Sequence, residues 1–126
     1  MKQPLVLRGK VVHGKALGRT VGMPTANIEV QDTSLLPECG VYATRISVGD
    51  KTYKAVTNIG LRPTVDNELQ VTVEAHILDF EGDIYGENVV LEVHRFLRPI
   101  QKFGSLEEVH AQVKKDIETI RVHFNS

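Results

Sequence analysis

The chain has 126 residues, 41% hydrophobic and 25% charged, the size and balance of one globular domain that can bury a core without disulfides or a structural metal. Its formal net charge of -1 argues against a dedicated nucleic-acid binder, which carries a basic excess, but leaves room for a local nucleotide site. The one cysteine, Cys39, excludes an internal disulfide framework and fits a reducing cytosol, and the run Leu5 to Leu7 is too short for a signal peptide or a membrane span.

The elements in chain order are mostly strands. Leu5 to Val12 is apolar and β-branched enough for a first strand. Residues 13–24 form a loop rich in glycine and basic residues, and Thr25 to Val30 reads as a short strand or an extended segment. Residues 31–40, with Asp32-Thr33-Ser34 and Pro37, read as a loop. Val41 to Val48 and Lys51 to Ile59 flank Gly49-Asp50, a hairpin signal in which glycine supplies the positive φ of the first turn position. Gly60 to Glu68 reads as a polar loop. Leu69 to Leu78 alternates, with Val71, Val73, Ala75 and Ile77 on one face and Gln70, Thr72, Glu74 and His76 on the other. Asp79 to Gly86 is a turn region, and Val89 to Leu97 a final strand.

The period then changes. Leu106, Val109, Val113, Ile117, Ile120 and Phe124 recur three or four apart, one face of a helix over about 105–124. Ser105 three residues before Glu108 is a capping box. About six strands and one helix, with no repeat or linker, predict a mainly β, closed or nearly closed antiparallel barrel with the helix packed on its outside or across an end.

Three features bear on chemistry. The loop His13 to Gly22 follows a strand directly, and its glycines could bring backbone amides to a phosphate while Lys15 or Arg19 supplies charge. It lacks the Walker ending and the dinucleotide glycine pattern, so taken alone it reads sooner as an ordinary flexible loop than as a phosphate cradle. In Met23-Pro24-Thr25-Ala26-Asn27, Thr25 and Asn27 are two apart and project to one side of an extended segment. A hydroxyl and an amide oxygen suit magnesium beside phosphate, or else stabilise a turn. Glu74 shares a polar strand face with Thr72 and His76 and is either a solvated residue or a base for an attacking alcohol. The five histidines show no metal spacing, no serine-hydrolase elbow occurs, and Cys39 lacks a helix start or basic neighbour to activate it.

These features occur in an order that resembles the riboflavin kinase family. Gly9-Lys10-Val11-Val12-His13-Gly14, Gly18-Arg19 and Gly22-Met23-Pro24-Thr25-Ala26-Asn27 resemble its opening. Leu36-Pro37 with Gly40-Val41-Tyr42, then Asn58-Ile59-Gly60-x-Arg62-Pro63-Thr64, are similar to its next landmarks. Val73 to Phe80, Asp83-Ile84-Tyr85-Gly86, Phe96-Leu97-Arg98-Pro99 and Lys102-Phe103 follow, so that the resemblance runs from about residue 8 to about residue 124.

The resemblance implies one domain over residues 1–126, a six-stranded antiparallel Greek-key barrel with a C-terminal helix. It implies ATP and riboflavin as substrates, FMN and ADP as products, and Mg2+ as metal. Thr25 and Asn27 match the family's metal-holding pair and Glu74 its base for the ribityl 5′-hydroxyl. Gly14, Lys15 and Arg19 in the first loop, with Thr25, Asn27, Ile77, Asp79 and Tyr85, match the nucleotide side. Arg98 and Phe103 fall where the family closes over the flavin. The implied partners are small molecules, without nucleic acid or membrane, in the cytoplasm. Many bacterial relatives carry an FMN adenylyltransferase domain on the N-terminal side, and nothing here resembles it. The chain is therefore expected to be a stand-alone, monomeric kinase or the kinase part of a bifunctional chain. It departs from the family at Met23, often aromatic, at Ile100, often acidic, and at Gly104, often aspartate. A flavin- or FMN-binding regulatory module with little turnover is the competing reading. A generic barrel interaction domain would leave the ordered motifs as coincidence.

Overall fold

The computed structural model describes residues 5–12, 25–63, 69–80, 82, 84–101 and 104–124. Six strands, β1 (Leu5–Val12), β2 (Ala26–Val30), β3 (Gly40–Val48), β4 (Lys51–Pro63), β5 (Leu69–Ile77) and β6 (Asn88–Arg98), precede one helix, α1 (Leu106–Phe124). A 3-10 turn, Thr33–Leu35, lies between β2 and β3. The strands close into a barrel in the order β1-β2-β5-β4-β3-β6, every pairing antiparallel. The contacts of β2 with β5 and of β3 with β6 join strands that are not consecutive, which makes the closure a Greek key.

Period-two alternation builds the interior. Leu7 and Val11 of β1, Tyr42 and Ile46 of β3, Ala55 and Ile59 of β4, Val73 and Ala75 of β5, and Val89, Leu91 and Val93 of β6 form one buried cluster. Burying each large aliphatic side chain contributes roughly 1.5–3 kcal/mol. Two threonines also point inward, and they satisfy each other: Thr44 and Thr57 hydroxyls are 2.8 Å apart, and Thr44 Oγ1 donates to the Ala55 carbonyl at 3.0 Å. At Gly9 the barrel wall is too close for a side chain, since a Cβ there would stand 2.5 Å from the Glu29 carbonyl oxygen.

The hairpin turns as expected. Gly49 has φ +62° and is the only left-handed residue of the Gly49-Asp50 pair, the pattern of a type II′ turn. β4 differs from the expectation: the residues from Gly60 to Pro63 are strand, not loop. Gly60, Leu61, Arg62 and Pro63 pair with Thr72, Val71, Gln70 and Leu69. Glycine and proline signal a local break, but an available partner strand outweighs that signal when proline stands at the strand's last residue.

The helix packs on the outside of the barrel. Val41, Ala43, Val56 and Leu78 form a second buried cluster with Ile120 of α1, flanked by Ile117 and Phe124. Its start carries the Ser105 half of the expected capping box, with the Glu108 carboxylate reaching one residue further back than the box requires. The Glu108 amide donates to Ser105 Oγ at 3.2 Å, and the Glu108 carboxylate accepts the Gly104 amide at 2.7 Å.

Candidate active site

With Val73 and Ala75 inside, Thr72, Glu74 and His76 of β5 face outward. Register then decides what stands beside Glu74. On one side it pairs directly with Asn27 of β2, and on the other with Asn58 of β4. Directly opposed residues share a face, with Cβ atoms about 5 Å apart. A carboxylate therefore stands between two carboxamides on the outer wall. Asn58 pairs in turn with Val41, and Val41 with Arg98, which carries the row round to β6.

The row is bounded along the strands. Towards the C-terminal end of β5, α1 covers Val56 and Leu78. Towards the other end Ile100 lies on the wall, with its Cδ1 3.2 Å from where a Cβ on Gly60 would stand and Thr72 Oγ1 3.4 Å from the same point. Gly60 is the next outward position of β4 after Asn58, so Glu74 and Asn58 lie in the gap between helix and Ile100.

The expected nucleotide-side residues lie towards one end of the barrel. Thr25 immediately precedes β2, and alternation carries it to the side of Asn27. The turn around Tyr85 docks on the end of β1 nearby, with the Gly86 amide donating to the Val11 carbonyl and the Val11 amide to the Glu87 carbonyl. Tyr85 is 51% exposed. Ile77 packs against the barrel core. Asp79 adopts φ +56°, a left-handed conformation that aspartate tolerates. Its exposed carboxylate accepts two bonds from Arg121 of α1, at 3.0 and 3.2 Å. The Arg121 guanidinium holds the Asp79 carboxyl below the usual carboxylate range, with Lys54 adding to it.

Arg98, expected on the flavin side, is also bound to the helix. Its Nη2 donates to Asp116 Oδ2 at 2.9 Å, and its Nε lies 3.2 Å from both carboxylate oxygens. Gln112 Nε2 donates to Asp116 Oδ1 at 3.1 Å. Asp116 is 4% exposed, so this is a nearly buried ion pair joining β6 to α1. Gly14, Lys15, Arg19 and Phe103 lie outside the described residues.

Among the described residues no group of three or more His, Cys, Asp or Glu could hold a metal ion. The candidate donors are instead the carboxamide of Asn27, paired with Glu74, and the hydroxyl of Thr25 two residues before it. Such a hard, neutral and incomplete set fits a magnesium ion that keeps waters and takes most of its charge compensation from phosphates.

Reading the sequence singled out Glu74 and Asn27 but gave Asn58 no role. Its signal was there: it stands in a strand that alternates with Val56 and Gly60 on the same face. Only the register with β5 makes it a neighbour of Glu74. No local pattern marks Asp116 and Arg121, because their partners lie 18 and 42 residues away.

The comparisons with known proteins bear on the family and the fold. The family model for flavokinase, riboflavin kinase, matches residues 1–124. The chain belongs to the riboflavin kinase family. A bifunctional riboflavin kinase/FMN adenylyltransferase of Listeria monocytogenes is 39% identical over 121 residues, covering 96% of this chain and 38% of the relative. A crystal structure of riboflavin kinase from Trypanosoma brucei superposes with a TM-score of 0.70 at 29% identity, covering 99% of this chain and 79% of that one. A Streptococcus pneumoniae crystal structure described as a macrolide-efflux protein superposes with a TM-score of 0.85 at 39% identity, over 94% of this chain and 38% of that one. The chain spans about two fifths of the bifunctional relatives it matches. Within the riboflavin kinase family, then, this chain presents the closed barrel, the outer helix and the Asn27–Glu74 pairing.

Proposed function

We propose that the chain is an ATP:riboflavin 5′-phosphotransferase, converting riboflavin and ATP to FMN and ADP. The observation that carries the reading is the direct pairing of Asn27 with Glu74 across β2 and β5. Phosphoryl transfer asks the protein for alignment and charge compensation more than for covalent chemistry. One carboxylate on a rigid strand, beside neutral oxygen ligands, supplies both parts from adjacent positions.

Thr25 Oγ1 and Asn27 Oδ1 would hold Mg2+, which supplies charge neutralisation at the transferring phosphate. Glu74 accepts the proton of the ribityl 5′-hydroxyl and aims its oxygen at the γ-phosphorus. The phosphoryl–oxygen bond to ADP breaks as the bond to the ribityl oxygen forms. Gly14, Lys15 and Arg19 are assigned to the triphosphate, and Ile77, Asp79 and Tyr85 to the nucleotide side near the barrel end. Arg98 and Phe103 are assigned to the flavin side, Arg98 held in place by Asp116. The Asp79–Arg121 pair gives Asp79 a second task, that of tying the turn after β5 to the helix. The reaction belongs in the cytoplasm, where ATP is supplied, and a monomer or the kinase part of a bifunctional chain carries it out.

The test is to incubate purified protein with riboflavin, ATP and Mg2+ and to separate the flavins by chromatography. FMN formation dependent on all three is expected. Tight flavin binding without FMN would replace this reading by that of a regulatory flavin-binding module.

A further inference from the structure

Resting on the kinase reading, we infer that Asn58 and Ile100 form the acceptor side of the site: the Asn58 carboxamide holds a hydroxyl of the ribityl chain, and Ile100 is the apolar wall for the flavin ring. In-line transfer places the attacking and leaving oxygens on opposite sides of the transferred phosphorus. Thr25 and Asn27 set the donor side. Asn27 pairs with Glu74, and Thr25 continues towards the end of the barrel where β5 finishes. From Glu74 the acceptor therefore runs the other way, across to Asn58 and along β4 and β5 towards Gly60 and Thr72, which are paired with each other.

The surface met in that direction suits an amphipathic acceptor. Asn58 is exposed and lies on the side of Glu74 opposite Asn27, so its carboxamide can both donate to and accept from a polyol hydroxyl. The next outward position is Gly60, whose missing side chain lets Ile100 lie flat on the strand, with Cδ1 3.2 Å from the Cβ position. Ile100 stays 51% exposed there, presenting an apolar face beside the polar row. Order along the wall is thus nucleotide side, base, carboxamide, apolar plate. That order matches a phosphate donor, a hydroxyl nucleophile, a polyol arm and a flat ring.

The experiment uses the full chain as wild type, Asn58→Ala and Ile100→Ala, with riboflavin and with lumiflavin, which keeps the ring and lacks the polyol. Both side chains are exposed, so the variants keep the fold. Asn58→Ala is expected to lower kcat/KM for riboflavin about five- to tenfold, the effect of one lost hydrogen bond, with lumiflavin binding and the KM for ATP unchanged. Ile100→Ala is expected to weaken lumiflavin and riboflavin together, roughly three- to tenfold for a shortened apolar contact, again without moving the KM for ATP. A shifted KM for ATP in either variant, lumiflavin binding that follows Asn58 instead of Ile100, or no change in either variant overturns the inference. Wild-type turnover separates the two levels. If wild type makes FMN and the variants match it, only the acceptor assignment fails. If wild type binds both flavins without forming FMN, the kinase reading fails and lumiflavin binding still decides Ile100. If wild type binds neither flavin, both fail.

Discussion

Arg98 of β6 and Asp116 of α1 form a two-pronged ion pair that is almost entirely buried, Nη2 to Oδ2 at 2.9 Å. Asp116 also accepts from Gln112, so its charge is well compensated. The pair joins the helix to the strand that ends beside the candidate site. Removing one partner leaves the other charge in a low-dielectric environment.

Asp116→Ala is therefore expected to cost about 3 kcal/mol, the range for breaking a buried pair. Urea unfolding followed by circular dichroism measures it. Asp116→Asn, which keeps the shape and loses the charge, should lie between wild type and alanine. A loss no larger than that of an exposed pair would show that Arg98 finds water once Asp116 is gone.

Glu74→Gln should leave the unfolding midpoint near that of wild type, because Glu74 is on the outer wall and outside both apolar clusters. Turnover should fall about 10²–10⁴-fold, the usual worth of a positioned general base. Single-turnover FMN formation checks it. Activity within a few-fold of wild type would remove Glu74 from the role of base, and the Asn27–Glu74 pairing would lose its functional meaning.

Stability should decline from neutral towards mildly acid pH, with His123 contributing. Burial and the nearby Arg95, His94 and Arg45 push the His123 imidazole below its ordinary value of 6.5. His94 meets the Phe124 ring edge to face, its Nε2 donates to Glu92 Oε1 at 3.1 Å, and Arg45 lies 4.5 Å over the Phe124 ring. The sign follows from the depressed native value. Above the unfolded value neither state binds the proton. Below it the unfolded state takes the proton first, so stability falls as pH drops from about 6.5 through the lower native value, and then levels off. His123→Gln should flatten that part of the curve of melting temperature against pH. An unchanged slope would mean that other groups carry the acid sensitivity.

The barrel and helix were legible in the chain itself, for reasons of short range. Strand alternation shows in Val71, Val73, Ala75 and Ile77, and helical spacing shows from Leu106 to Phe124. The Gly49-Asp50 turn and the Ser105 cap on the Glu108 amide are local chemistry, and both have the expected geometry. Asn27 and Glu74 stood out as residue types suited to metal and base. Their adjacency did not, since 47 positions of chain separate them and no local rule fixes the register of β2 on β5. The same holds for Asn58 beside Glu74, for Ile100 on Gly60, and for the helix partners of Arg98 and Asp79. Side-chain type and periodicity are properties of neighbouring residues, so the sequence alone determines them. Pairing register and helix docking depend on how the whole barrel closes around its core. Only the tertiary structure decides which carboxylate meets which carboxamide.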